Sequence, residues 1–344
     1  MELKEGMTPG GKRKKLADEL PLDTPYLIQI FPAYACNFRC NFCLHSLDRS
    51  EHGYISDRTL MDMELYRKCI DDIKQFPRKL KMLRFAAIGE PLVHPGIAEM
   101  IAYAKKADVA DSVDIVTNGS LLSHELSDKL IGAGLDRLRI SVDGLSEASF
   151  AENTGVKVDF GKYVEQIRYF YEHAENTHIY IKIIDYMVQK PETRELFFRT
   201  FGPICHSIAV EHLTPTISEI DYDSFSGDVK ADKPQNGEVL LQSDVCPQGF
   251  YMMQINPDGK VVPCCSMKYP SVLGDTNVNT VNEIWNGKAF SDFRLRMLDG
   301  VNKAGKVCGE CKLYLYDLHE EDVLDADGDR VEELKRLYRR LNNG

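Results

Sequence analysis

The sequence predicts an α/β fold: a partial, TIM-like (β/α)6 barrel followed by a small C-terminal domain built from a β-hairpin and helices. Two observations support this prediction. Short runs rich in β-branched and aromatic residues alternate with longer amphipathic stretches, which is typical of repeated β–α units. Beyond these repeats, a segment rich in Asp, Ser and Gly leads into a cysteine-rich region. Six units fall short of the eight in a closed TIM barrel, so we expect an incomplete barrel.

The predicted elements follow one another in a regular order. Parallel strands joined by right-handed crossovers form a barrel that binds its ligands at the C-terminal ends of the strands. Ser123 and Asp159 stand where helix N-caps are expected. We predict strands at 26–31, 82–88, 114–117, 137–142, 179–185 and 207–210, and helices around 57–75, 95–107, 122–133, 160–174 and 191–200.

The chain divides into five predicted segments. In the C-terminal half, Asn256-Pro257-Asp258-Gly259 lies between two apolar runs and predicts a hairpin that brings Cys246 and Cys264 towards each other. The pattern from Asp329 to Leu341 predicts a terminal helix. The segments are a polar leader at 1–25, the barrel at 26–217, a linker at 218–242, a cysteine-bearing module at 243–315 and a helical tail at 316–344.

The amino-acid composition of the chain argues against several classes of function. A net charge of −11 and a pI near 5.4 argue against the basic surface of a nucleic-acid-binding protein. No uncharged apolar run approaches the roughly 20 residues of a membrane helix, and no apolar segment follows the N-terminal lysines as in a secretory signal. We therefore expect a cytoplasmic protein that does not bind membranes. In that reducing compartment the 10 cysteines favour metal binding over disulfides.

A first cysteine set follows the first predicted strand. Cys36, Cys40 and Cys43 have C-x3-C-x2-C spacing, and three thiolates held this closely suit a cubane iron–sulfur cluster. Three protein ligands leave one iron open, which is a feature of reactive metal sites. A zinc site is the alternative, but it normally recruits a fourth Cys or His at a familiar spacing, and His45 is too close to Cys43 for that.

The segment from Cys36 to Cys43, with the aromatic Phe42 before its third cysteine, resembles the cluster loop of the radical S-adenosylmethionine (SAM) superfamily. The resemblance implies that the open iron of a 4Fe–4S cluster binds the amino and carboxylate groups of SAM. It also implies that electron transfer cleaves SAM to methionine and a 5′-deoxyadenosyl radical. Phe42 is then expected near the adenine.

Further motifs at predicted strand ends carry the same resemblance. Gly89-Glu90-Pro91 is similar to the family's GEP element, which accepts hydrogen bonds from the SAM ammonium. Thr117-Asn118-Gly119 and Ser141-Val142-Asp143-Gly144 resemble elements that approach the methionine and ribose, and Ser141 is the expected ribose contact. Relatives often carry an arginine where this chain has Asn153-Thr154-Gly155. Lys182 on the fifth strand is a candidate replacement, with a solvent-facing lysine as the equal alternative.

A second cysteine set lies in the C-terminal module. Glu283-Ile284-Trp285, and a glycine five residues before Cys264, resemble the SPASM and twitch extensions of radical SAM enzymes. No cysteine follows Cys311, which is typical of the shorter twitch form with one auxiliary cluster. The resemblance implies two 4Fe–4S clusters and SAM as cofactors, while a four-cysteine zinc site is the alternative for this module. The predicted auxiliary ligands are Cys246, Cys264, Cys308 and Cys311, with Cys265 as an alternative to Cys264.

The resemblance leads to one preferred function and two alternatives. We expect hydrogen abstraction from a small polar substrate, such as a sugar, aminocyclitol or nucleotide-linked sugar, and its oxidation with help from the auxiliary cluster, as in twitch-bearing alcohol dehydrogenases. An external donor such as flavodoxin or ferredoxin would supply the electron. Lys182, Glu211 and His212 are the candidate catalytic residues. The alternatives are a ribosomal-peptide maturase, disfavoured because only about 25 residues precede the first strand, and a non-catalytic iron–sulfur electron carrier.

Overall fold

One mixed β-sheet of ten strands organises the chain, with strand order β1-β7-β6-β5-β4-β3-β2-β8-β9-β10. The computed structural model describes residues 4–5, 13–230, 232–235, 237 and 239–342, so parts of the predicted leader, linker and tail lie outside the described residues. The strands are β1 (Lys4–Glu5), β2 (Leu27–Ile30), β3 (Met82–Phe85), β4 (Val113–Thr117), β5 (Arg137–Val142), β6 (His178–Ile184), β7 (Ser207–Glu211), β8 (Met252–Ile255), β9 (Lys260–Val262) and β10 (Gly274–Asp275).

Six parallel strands, β2 to β7, pair in sequence order and form the partial barrel. This confirms the predicted fold class. Predicted N-caps are also present, since the Ser123 hydroxyl accepts from the Leu126 N–H and the Asp159 carboxylate from the Lys162 N–H. The helices between these strands are α2 (Met63–Ile73), α3 (Ile97–Ala107), α4 (His124–Gly132), α5 (Glu147–Thr154), α6 (Phe160–His173) and α7 (Pro191–Phe201); α1 (Leu16–Glu19) precedes the barrel.

The C-terminal module continues the barrel sheet. Its predicted hairpin is β8 and β9, and Gly259 has a φ of +89°, a conformation that favours glycine at the turn. Strand β8 also pairs in parallel with β2, from Leu27 opposite Met252 to Ile30 opposite Ile255. The helices of this half are α8 (Gln248–Tyr251), α9 (Val281–Asn286), α10 (Lys288–Leu298), α11 (Val301–Ala304), α12 (Lys306–Glu310), α13 (Leu313–Tyr316) and α14 (Gly328–Leu341).

Part of the segment predicted as a polar leader belongs to the core. Leu16, Leu20 and Leu22 are buried, and the Trp285 indole N–H donates to the Leu22 carbonyl at 3.0 Å. Arg330 of α14 donates to the carbonyl oxygens of Ala17 and Leu20, so α1 and α14 are joined directly. Among the described residues, no helix combines the length and apolar character needed to cross a membrane.

Candidate active site and metal centres

The first three cysteines lie on a loop that begins where β2 ends, and the loop is fastened to the C-terminal end of α5. The Arg39 N–H donates to the Thr154 carbonyl and the Asn41 N–H to the Asn153 carbonyl, both at 2.9 Å. The Asn153 side chain in turn donates to the Asp143 carbonyl at 2.9 Å. The Asn-Thr-Gly segment, where relatives often carry an arginine, therefore positions the cysteine loop.

The three thiols of this loop fit a buried cluster. Burial raises the pKa of Cys36 to about 12 and the pKa values of Cys40 and Cys43 above their ordinary value. Because the thiolate is the metal ligand, a cationic centre has to compensate this desolvation. The described residues that line the adjoining cleft include all three thiols and no histidine. This donor set matches a cluster held by three thiolates.

Glu90 is a buried carboxylate without a cationic partner among the described ion pairs. It accepts hydrogen bonds from the Thr117 hydroxyl at 2.6 Å, the Asn118 N–H at 2.8 Å and the Leu92 N–H at 2.9 Å. Burial nevertheless raises its pKa to about 7. The preceding Gly89 is required sterically, because a Cβ there would lie 2.0 Å from the Ala33 carbonyl oxygen. A desolvated carboxylate at the cleft fits a cationic ligand such as the SAM ammonium.

The cleft itself has a volume of about 250 Å³ at the C-terminal ends of the barrel strands. Pro91 is buried in the short turn of 3-10 helix that Glu90 caps, and it is the one predicted SAM-site residue outside the described lining. The predicted cofactor-site residues that line the cleft are Phe42, Gly89, Glu90, Thr117, Asn118, Ser141 and Asp143, and Lys182 lines it as well.

Asp143 lies between the cluster loop and the cleft. Its carboxylate is 3.6 Å from the Cys40 sulfur, and burial raises its pKa to about 7. On the other side of the loop, Asn37 accepts from the Asn118 amide at 3.0 Å and donates to the Ser120 hydroxyl at 2.7 Å. Sequence reasoning missed Asn37 and also Met267, a cleft residue from the C-terminal module. The position of Asn37 inside the cysteine motif could have predicted its place beside the cluster loop, whereas no pattern around Met267 predicts a place in the cleft.

The three candidate catalytic residues fall into two groups. Lys182 forms an ion pair with Glu211, whose other carboxylate oxygen accepts from the Tyr180 hydroxyl at 2.8 Å. The Lys182 side chain is only 22% exposed, so it is not a solvent-facing lysine. His212 instead pairs with Asp185 at 2.5 Å. Among the described residues, Lys182 lines the cleft, whereas Glu211 and His212 do not. The His212 Nε2 atom is buried without a hydrogen-bond partner among the described residues, and it lies 3.8 Å from the Asp232 carboxylate.

The second cysteine set surrounds a separate cavity in the C-terminal module. Burial raises the pKa of Cys308 to about 12 and raises that of Cys246 further. Cys265 lies outside this lining, 3.9 Å from the Gln248 side-chain oxygen, so the geometry favours its neighbour Cys264 as a ligand. The thiols that line the cavity are Cys246, Cys264, Cys308 and Cys311.

These four thiols come from separate elements. Cys264 follows β9, Cys308 lies in α12, and Cys311 follows α12 directly. Among the described residues, no three His, Cys, Asp or Glu side chains converge closely enough to hold a single metal ion. All four thiols line one cavity, an arrangement that suits a cluster held by four thiolates. The remaining cysteines, Cys69 and Cys205, are buried elsewhere in the core.

Three thiols lie on a loop at the C-terminal end of a partial barrel, beside a buried carboxylate, and a four-thiol module follows. These features define an iron–sulfur enzyme that activates a bound cofactor. Family models match both parts, the Radical SAM superfamily over residues 30–197 and the SPASM iron–sulfur cluster-binding domain over 246–312. The chain belongs to the radical SAM superfamily and carries a C-terminal SPASM domain. The cofactors of this class are SAM, a 4Fe–4S cluster in the barrel and further iron–sulfur binding in the SPASM domain.

Curated relatives match over part of the chain. A tungsten-containing aldehyde ferredoxin oxidoreductase cofactor-modifying protein of Pyrococcus furiosus is 39% identical over 113 residues, 33% of this chain and 29% of the relative. A GTP 3′,8-cyclase of Chlorobaculum tepidum is 33% identical over 143 residues, 42% of this chain and 40% of the relative. A dTDP-4-amino-4,6-dideoxy-D-glucose ammonia-lyase of Streptomyces venezuelae is 28% identical over 149 residues, 42% of this chain and 29% of the relative. The matches thus span well under half of each relative.

Solved structures share the fold at low identity. SuiB of Streptococcus suis bound to S-adenosylmethionine matches with a TM-score of 0.61 and 13% identity, covering 90% of this chain and 78% of that one. BtrN in complex with AdoMet and 2-DOIA matches with a TM-score of 0.52 and 16% identity, covering 83% of this chain and 92% of that one. These similarities support the architecture of a radical SAM barrel with a C-terminal extension.

Proposed function

We propose that the protein oxidises a hydroxyl group of a small polar substrate, such as a sugar, an aminocyclitol or a nucleotide-linked sugar. The observation that carries the proposal is the polar wall where Lys182 enters the SAM cleft, backed by Glu211, Tyr180 and Gln235. Buried charged groups that bond one another beside a reactive cleft suit a substrate with several hydroxyl groups better than an apolar one.

In this proposal the two cysteine sets bind one 4Fe–4S cluster each. Cys36, Cys40 and Cys43 hold the first cluster, and Glu90 accepts hydrogen bonds from the SAM ammonium. When bound, SAM and this cluster supply the 5′-deoxyadenosyl radical that removes a hydrogen atom from a substrate carbon. Cys246, Cys264, Cys308 and Cys311 are the proposed ligands of the auxiliary cluster. Four thiolates leave no open vertex for substrate, so this module is suited to accept an electron.

Lys182 and Glu211 are proposed to bind the substrate oxygen and to take up its proton. Oxidation of a CH–OH group to a carbonyl removes one hydrogen atom from carbon, one proton from oxygen and one electron. Lys182 donates a hydrogen bond to the oxygen and holds it in the cleft. As the substrate oxygen loses its proton, Lys182 passes one of its own protons to Glu211 and takes the substrate proton in exchange, so the proton removed from the substrate is balanced by the proton on Glu211. The barrel walls keep water away from the radical centre.

Two relatives support the proposed substrate class. The names GTP 3′,8-cyclase and dTDP-4-amino-4,6-dideoxy-D-glucose ammonia-lyase both denote enzymes of nucleotide-linked, hydroxyl-bearing molecules. BtrN binds the small molecule 2-DOIA together with AdoMet. Their reactions differ from one another, so the oxidation rests on the four-thiol module and on the Lys182–Glu211 pair.

A substrate screen tests the proposal. Anaerobic protein with both clusters is incubated with reductant, SAM and a panel of aminocyclitols, sugars and nucleotide-linked sugars, and products are analysed by mass spectrometry. We expect one class to yield a product that has lost two hydrogens, with 5′-deoxyadenosine formed in equal amount. The Lys182→Met variant should lose this product by about a hundredfold, while Lys162→Met, at the rim of a neighbouring cavity, should retain it. A product that keeps its hydrogens would refute the oxidation.

A further inference from the structure

A second cavity, of about 240 Å³, lies against the outer side of the cysteine loop. Cys36 lines both this cavity and the SAM cleft, so the thiol forms part of the wall between them. We name it the cationic cavity after its lining, which includes Tyr34, Arg39, His45, Arg49 and His52.

The cationic cavity presents the guanidinium groups of Arg39 and Arg49. Neither Arg39 nor Arg49 forms an ion pair among the described residues, and no carboxylate lines the cavity there. The nearest acidic neighbours in sequence, Asp48 and Glu51, are engaged in a capping box: the Ser50 N–H donates to Asp48 at 2.9 Å and the Asp48 N–H to Glu51 at 3.1 Å. In a chain with a net charge of −11, this cavity is a local site of attraction for anions.

Several contacts hold the cavity in shape. The Tyr34 hydroxyl bonds the Nδ1 atom of His52 at 2.5 Å, and the His52 Nε2–H donates to the Leu47 carbonyl at 3.3 Å. The Arg49 guanidinium lies 4.8 Å from the centre of the Tyr34 ring. Because both ring nitrogens of His52 and the Tyr34 hydroxyl are engaged, the ring beneath the Arg49 guanidinium is held in place. The Arg39 guanidinium donates to the His45 carbonyl at 3.5 Å.

We propose that the cationic cavity is the docking site for an acidic one-electron carrier protein that reduces the first cluster. The proposal rests on the radical SAM chemistry of the family and not on the identity of the substrate. Both arginines are exposed, so a protein surface with several carboxylates can engage them together, and Arg forms such contacts through paired donors. A carrier seated here is separated from the cluster by the Cys36 side chain, a short path for the electron.

The test compares two electron donors of opposite charge. Reduced flavodoxin is the acidic protein donor, and reduced methyl viologen is a small cation that needs no docking site. We compare wild-type protein with Arg39→Glu/Arg49→Glu, and with Arg168→Glu/Arg199→Glu as a control that makes the same charge change at exposed arginines of α6 and α7. Two quantities are measured on cluster-loaded protein: the Kd for oxidised flavodoxin, and the rate at which each donor reduces the first cluster.

At low ionic strength, we expect the Arg39→Glu/Arg49→Glu variant to bind flavodoxin at least about tenfold more weakly and to be reduced by it at least about tenfold more slowly. Reduction by methyl viologen should change by less than about twofold, and the control variant should resemble wild type with both donors. The docking site is overturned if flavodoxin binding survives the double reversal, if the control loses binding equally, or if methyl viologen reduction falls in parallel. The last result would assign the arginines to the structure of the loop or to a small-anion ligand.

Discussion

Glu90 gives SAM binding a defined dependence on pH. In the free cleft its pKa is raised to about 7 because the carboxylate is buried, and binding a cation requires the ionised form. Affinity for SAM therefore rises as pH increases through 7, where Glu90 loses its proton. For one group with this pKa, the protonated fraction weakens binding at pH 6 relative to pH 8 by about tenfold.

Equilibrium binding of labelled SAM to cluster-loaded protein, at both pH values, measures this factor. Glu90→Gln keeps the shape of the side chain but removes the charge, so the ratio of the two Kd values should be about tenfold smaller in the variant than in wild type. At pH 8 the variant should bind about ten- to a hundredfold more weakly, since a hydrogen bond to a charged group contributes roughly 1.5–3 kcal/mol. Titration of SAM itself affects both proteins and cancels from the comparison. Because the charge of Glu90 raises the pKa of Asp143, the same comparison is repeated in an Asp143→Asn background. The exposed Glu152→Gln serves as control. An unchanged ratio in Glu90→Gln would falsify the assignment of Glu90 to the ammonium.

Three further predictions concern the metal centres. Anaerobically reconstituted protein should contain about eight irons, four per cluster, and a reproducible value near four with bound zinc in metal analysis would contradict the auxiliary cluster. Cys40→Ala should abolish 5′-deoxyadenosine formation because the first cluster loses one of three protein ligands, so undiminished formation would locate the reactive cluster elsewhere. Cys308→Ala, if folded by circular dichroism, should form 5′-deoxyadenosine but little oxidised product, whereas Cys265→Ala should retain both. Wild-type product from Cys308→Ala would make the second cluster structural.

Local patterns were sufficient to predict the barrel. Alternating burial along β5 and the side-chain caps of α4 and α6 are properties of short windows, and their strand and helix positions were predicted within a few residues. Helix α5 was missed because its apolar positions are few, although Ser146 caps it with a capping box.

Contacts between distant segments were beyond sequence reasoning. The pairing of β8 with β2 joins residues more than 200 positions apart, and nothing in either strand specifies its partner. The same holds for the ion pair of Lys182 with Glu211, where the sequence placed both near strand ends but left the lysine equally able to face solvent. Which of Cys264 and Cys265 faces the four-thiol cavity depends on the backbone conformation of the loop after β9. The spacing of the cysteines in the sequence does not determine that conformation.

The pairing of β8 with β2 also determines what happens when the C-terminal module is removed. Without β8, the backbone N–H and C=O groups of Leu27 to Ile30 would form an open sheet edge with an apolar sequence, which is a template for association with other chains. The strand exposed in this way leads directly into the loop that carries Cys36. A chain shortened before β8 should therefore aggregate through the same strand that supports the radical-generating cluster. Loss of activity in such a truncation would then have two causes, self-association of the chain and absence of the second cluster.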